Sequence, residues 1–190
     1  MSANLIVIGA SFGNLEAWPV LLAGLPRDFP AAIVIAQHRA RSADDGLLQF
    51  LQKSSRLPVR EPEDKDLIMP GQVYLAPRDY HLLVEKGWFA LSLEAPLHHA
   101  RPAIDVLFES AAEAYREQVI GIILSSANDD SVRGLARIKA LGGLTVGQET
   151  ATIEFPALPP DALPVSPVDR VLSLPQISLL LSDLCSLIVR

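Results

Sequence analysis

Three stretches of unbroken apolar sequence constrain this chain most: Leu5-Ile6-Val7-Ile8, Ala32-Ile33-Val34-Ile35-Ala36 and residues 119–124. None of them alternates apolar with polar residues. A strand with one wet face would alternate, so these three are expected to be buried on both faces, as in a parallel sheet covered by helices. Parallel strands need crossovers, and helical spacing appears between the runs. Residues 15–25 form one such stretch, with Pro19 expected to start or kink the helix. A second helix runs through about Lys53, with cap candidates in Ser42-Ala43-Asp44-Asp45. A third covers 105–115, with Pro102 and Asp105 as start signals, and a fourth runs from Val132 to Leu141, stopped by Gly142-Gly143. Leu144-Thr145-Val146, Val171-Leu172 and a helix from Gln176 close the chain, after a proline-rich loop at 155–167. The expected fold is α/β: a doubly wound, mostly parallel sheet with helices on both faces, forming a single domain over residues 1–190.

Residues 57–102 read differently. Short strand signals fall at Val59-Arg60, Val73-Tyr74-Leu75, 81–84 and 89–93, and Glu85-Lys86-Gly87 has the form of a hairpin turn. This region is expected to be an antiparallel β-hairpin elaboration on the domain.

Composition narrows the partners. Lys and Arg number 16 against 22 Asp and Glu, a net charge of −6, so no basic footprint for nucleic acid exists. Aromatic residues are 6%, too few for a stacking platform. The single cysteine, Cys185, is expected to be a buried core residue in a reducing compartment. Met1-Ser2-Ala3-Asn4 carries no basic leader and the apolar run behind it is too short to span a bilayer, so a cytoplasmic protein without membrane insertion is expected.

The chemistry gathers where the strongest strands end. The first passes into Gly9-Ala10-Ser11-Phe12-Gly13, a serine between glycines at a strand-to-helix junction, the form of a nucleophile elbow. The second ends in Gln37-His38. The third runs into a loop holding Asp129 and Asp130. In open parallel sheets reactive groups collect at the carboxyl ends of strands. Serine, histidine and an aspartate there are the parts of an acyl-transfer triad, with Asp129 and Asp130 both open as the acid. A dinucleotide site would need G-x-G-x-x-G and an acidic residue ending the second strand, and no G-x-x-x-x-G-K-[ST] phosphate loop is present. The order Ser, His, Asp also departs from the Ser, acid, His order of the α/β-hydrolases.

These residues, taken with others, resemble the catalytic domain of the bacterial chemotaxis protein-glutamate methylesterases, the CheB family. The likeness runs through Ile8-Gly9-Ala10-Ser11 with Gly13, Ala36-Gln37-His38, Val73-Tyr74-Leu75-Ala76-Pro77 with His81-Leu82-Leu83, and Arg101-Pro102 with Asp105-Val106-Leu107-Phe108. It continues to Asp130 with Gly134, and to Gln148-Glu149 with Pro156. The resemblance implies Ser11 as nucleophile, His38 as base and Asp130 as acid, since Leu124 and Gly134 fix the register. It implies no metal or organic cofactor, a methyl-accepting chemoreceptor-like protein as substrate, and glutamine deamidation as a related activity. An oxyanion hole would use the Phe12 N–H and a donor from 126–128. Departures are concentrated near the site. Phe12 stands where the family has Thr, and its loop Thr-Gly-Met-Gly-x-Asp-Gly reads Ser125-Ser126-Ala127-Asn128-Asp129-Asp130-Ser131. Ala100 replaces a histidine, with His98 and His99 just upstream. Adjacent residues of a strand face opposite ways, so these two are expected to be loop or solvent-exposed residues rather than a metal pair. The elbow starts within ten residues of Met1, so no receiver domain is expected ahead of it, and a separate receiver or other regulatory protein is a candidate partner. A binding or regulatory module with weak turnover is the alternative reading.

Overall fold

The computed structural model describes residues 4–13, 15–39, 46–125, 130–149 and 167–186. Nine strands are described: β1 Leu5–Ala10, β2 Ala32–Gln37, β3 Val59–Arg60, β4 Val73–Leu75, β5 His81–Glu85, β6 Trp88–Ser92, β7 Val119–Ser125, β8 Leu144–Gln148 and β9 Arg170–Leu172. Five α-helices accompany them: α1 Ala17–Leu22, α2 Gly46–Ser54, α3 Ile104–Tyr115, α4 Val132–Ala140 and α5 Leu174–Ser186. Seven strands form one sheet in the order β3-β4-β2-β1-β7-β8-β9, every pairing parallel. The remaining two, β5 and β6, form a separate antiparallel hairpin.

Period-two geometry divides the apolar strands between two cores. In β1, Ile6, Ile8 and Ala10 face one core with Trp18, Leu21 and Leu22 of α1, Leu51 of α2 and Ile177 and Leu181 of α5. Leu5 and Val7 face the other, with Ile104, Leu107 and Phe108 of α3 and Leu135 and Ile138 of α4. The hairpin packs on that second side through Leu82, Val84 and Phe89. Helices on both faces and a mostly parallel sheet are the doubly wound arrangement the apolar runs require.

The structure corrects the reading of 57–102 in one respect. Of the strands in this region, β5 and β6 pair antiparallel, whereas β3 and β4 extend the main parallel sheet. Val73 and Leu75 enter one core and Tyr74 the other, so β4 is buried on both faces like its neighbours. Helix α1 begins at Ala17, two residues before Pro19, rather than at the proline. Pro19 lies in its first turn, where a missing N–H costs no hydrogen bond. The proposed caps at 42–45, the loop at 155–166 and the side chain of Cys185 lie outside the described residues. No described helix is long and apolar enough to cross a membrane.

Candidate active site

The three strands that carry the predicted residues are neighbours in the sheet, with β1 between β2 and β7. Ser11 follows β1 directly and His38 follows β2 directly. The His38 N–H donates to the Ala10 carbonyl at 2.9 Å, continuing the β1–β2 ladder one step beyond the strands. That bond fixes the backbones of the serine and histidine side by side at the sheet's carboxyl edge. Ser11, His38 and Asp130 are 5%, 7% and 0% exposed, so whatever they do happens largely out of water.

His38 Nε2 lies 2.7 Å from Asp130 Oδ2. A carboxylate accepts in such a bond, so Nε2 is its donor and Nδ1 is the ring nitrogen the acid does not use. Asp130 is itself held by a helix end. Its Oδ2 accepts the Ile104 N–H and its Oδ1 the Asp105 N–H, both at 2.8 Å. These are orphan donors of the first turn of α3, whose N-cap position is Ala103 and has no side chain able to cap. A tertiary carboxylate takes over that task, and the helix dipole favours its charge.

The reciprocal contact is also present. Asp105, expected as a start signal for its own helix, sends its Oδ1 to the Gly134 N–H of α4 at 2.7 Å. Burial is the main reason its carboxyl is pushed up to about 6. Behind His38, Gln37 is held by Trp18, whose Nε1–H donates to Gln37 Oε1 at 2.9 Å. The next residue, Arg39, donates through Nη2 to Glu61 Oε1 at 2.5 Å and to the Ala76 carbonyl at 2.6 Å, tying the segment after the histidine to the end of β4.

A cleft of about 210 Å³ opens onto His38 and is lined also by Phe12, Arg39, His98, His99 and Arg101. Phe12 is exposed, and its ring centroid is 6.4 Å from that of His38. His98 and His99 are exposed and occupy the centre of a tight turn, closed by the Ala100 N–H on the Leu97 carbonyl at 2.8 Å. Both have positive φ, 48° and 65°, which is uncommon for residues with a side chain. Arg101 fixes the wall beneath them, donating to Asp79 Oδ1 and to the Leu93 and Glu94 carbonyls. His81 is a satisfied buried residue: Nε2 donates to the Ala95 carbonyl and Nδ1 accepts the Ala103 N–H.

Sequence reasoning placed Ser11, His38 and Asp130 at the strand ends but missed Gln37–Trp18, Arg39 and the role of the α3 backbone. Gln37 stood within the family stretch with no partner in view, and Trp18 and Arg39 carried no motif of their own. Asp105 stood within the family stretch, and only its sequence distance from Gly134 hid its partner. Asp129 and the 126–128 donor lie outside the described residues.

The fold is that of a doubly wound α/β domain, with serine and histidine at the ends of neighbouring strands and Asp130 beyond the third. The chain belongs to the CheB methylesterase family, whose model matches residues 6–181. It is 42% identical over 179 residues to a Leptospira interrogans protein provisionally named protein-glutamate methylesterase/protein-glutamine glutaminase, covering 94% of this chain and 93% of that one. It is 38% identical to protein-glutamate methylesterase/protein-glutamine glutaminase 2 of Anaeromyxobacter dehalogenans, covering 95% of this chain but 53% of the relative. The crystal structure of the Thermotoga maritima CheB methylesterase catalytic domain superposes with a TM-score of 0.84 at 31% identity, covering 97% of this chain and all of that one. The family makes this chain a hydrolase of the methylesterase type.

Proposed function

We propose that the protein hydrolyses glutamate γ-methyl esters, and deamidates glutamine side chains, on a methyl-accepting chemoreceptor-like protein in the cytoplasm. Residues 1–190 act as one domain, with Ser11, His38 and Asp130 as a catalytic triad. The observation that carries this is the 2.7 Å contact of His38 Nε2 with Asp130, one strand away from Ser11.

Ser11 Oγ attacks the ester carbonyl carbon while His38 Nδ1 takes its proton. The imidazolium that forms is stabilised by the Asp130 carboxylate, which two N–H groups of α3 hold in place. Serine-protease triads present the other ring nitrogen to the acid, so the roles of Nδ1 and Nε2 are exchanged here. The oxyanion rests on the Phe12 N–H. On collapse, the carbonyl re-forms, the C–O bond to the methoxy group breaks and His38 returns its proton to give methanol. Water, deprotonated by the same nitrogen, then frees the glutamate carboxylate from Ser11. With a glutamine side chain the leaving group is ammonia. A separate receiver or other regulatory protein would control access to the cleft.

The test combines labelling with turnover. A phosphonyl fluoride should add to the wild type on intact mass and not to Ser11→Ala, and a methylated chemoreceptor fragment should release methanol with the wild type only. Labelling without methanol release would keep the serine hydrolase and discard the substrate. A wild type with neither property that still binds a receptor would make the regulatory module the better reading.

A further inference from the structure

Asp130 and Asp105 cap each other's helices. Asp130, which precedes α4, accepts the first-turn N–H groups of Ile104 and Asp105 in α3. Asp105, in the first turn of α3, accepts the Gly134 N–H in the first turn of α4. Neither residue is exposed. The contact forms a closed ring, running from the Asp130 side chain through the start of α3 and the Asp105 side chain to the start of α4, and along the chain back to Asp130. Neither helix has a side-chain cap of its own, since Ala103 and Ser131 at the two N-cap positions supply none. The ring also has little slack. A Cβ placed on Gly134 would fall 2.4 Å from Phe108 Cβ and 3.3 Å from Asp105 Cα, so the helices touch where the carboxylates cross.

We infer that Asp105 is a positioning residue for the His38–Asp130 pair: it anchors the start of α3 to α4, and thereby sets the orientation in which Asp130 meets the imidazole. The inference rests on the triad reading above. Asp130 Oδ2 serves two donors at once, His38 Nε2 and the Ile104 N–H. Any drift of α3 relative to α4 therefore changes the geometry offered to the ring. Hydrogen-bond geometry at an acid–base pair is steep, and misplacement of about 1 Å can cost on the order of 10²-fold in rate.

Three variants test this: Asp105→Ala removes the acceptor, Asp105→Ser keeps a shorter one, and Asp105→Asn keeps it at the same position without charge. Methanol release is measured per folded molecule. Asp105→Ala should lower kcat about tenfold or more with KM changed less than about twofold, because the loss is in the chemical step. Asp105→Asn should recover most of kcat, and Asp105→Ser should fall between, standing in if the alanine variant does not fold. A second readout needs no substrate: the His38 Nε2–H proton, followed by NMR as a downfield signal protected by Asp130. It should broaden or move upfield in Asp105→Ala and return in Asp105→Asn. A folded Asp105→Ala or Asp105→Ser with wild-type kcat and an unmoved His38 signal would overturn the inference. If the wild type releases no methanol, the substrate reading fails while the NMR comparison still decides the positioning role.

Discussion

Trp18 and Gln37 are joined by a buried hydrogen bond of 2.9 Å that ties the helix after Ser11 to the strand before His38. Both side chains are almost wholly buried. Replacing Gln37 by Met leaves the indole N–H without an acceptor, which costs about 1–3 kcal/mol. The urea midpoint should fall accordingly. The double variant Gln37→Met with Trp18→Phe should cost less than the sum of the two single changes, as expected for residues in contact.

Asp130→Asn should abolish turnover almost completely, by roughly 10³–10⁴-fold, since an amide facing Nε2 favours the wrong imidazole tautomer. Isosteric shape alone would leave the fold intact. The structure adds a stability cost, because both carboxylate oxygens accept backbone donors from α3 and an amide offers only one oxygen. A loss of about 1–2 kcal/mol in denaturant melts should accompany the loss of methanol release. Full activity in Asp130→Asn would remove the acid from the mechanism.

Ser131 has φ 143°, ψ −18°, a conformation glycine tolerates and serine does not, and its buried hydroxyl lacks a hydrogen-bond partner among the described residues. The family loop carries glycine there. Ser131→Gly should raise stability by about 1–2 kcal/mol, through relieved strain and removal of the unsatisfied hydroxyl. A lower melting temperature in this variant would show that the serine is accommodated without strain.

The Asp105 carboxyl, pushed up to about 6 chiefly by burial, gives stability a particular pH dependence. Asp130 and Glu109 raise it further, while the Gly134 N–H and Arg133 oppose them. Folded, Asp105 holds its proton to about pH 6; unfolded, it releases it near 3.8. Between those values the native state binds more protons, so this group's contribution is full below 3.8 and lost as pH rises through 6, at about 1.4 kcal/mol per pH unit. Asp105→Asn has nothing to titrate. Its stability relative to the wild type should climb between pH 4 and 6 and level off above. Parallel curves across that range would place the native pKa near the unfolded one.

Much of the fold was legible because Leu5-Ile6-Val7-Ile8 and its two counterparts are apolar at every position, a pattern few surroundings other than a covered parallel sheet satisfy. The strand ends followed from that, and with them Ser11, His38 and the Asp129–Asp130 pair, of which the family likeness singled out Asp130. Val73-Tyr74-Leu75 was too short to declare that both its faces are buried, so its place beside β2 was not readable. The crossed caps were hidden for another reason. Local rules look for a cap within a few residues of the helix it serves, whereas Asp130 and Asp105 N are 25 residues apart and Ala103 advertises nothing.

The sheet order has a consequence for biosynthesis. Strand β1 is made first, and β2 covers one of its edges early, but its other edge belongs to β7. Until Val119–Ser125 has left the ribosome, Leu5–Ala10 presents an unsatisfied row of backbone groups flanked by its most apolar side chains. Such an edge is a template for pairing with the wrong chain. The most aggregation-prone moment for this protein therefore falls after the serine and histidine strands exist and before the third strand arrives. Translational pausing or truncation within residues 38–118 should yield insoluble product far more readily than loss of the segment after β8.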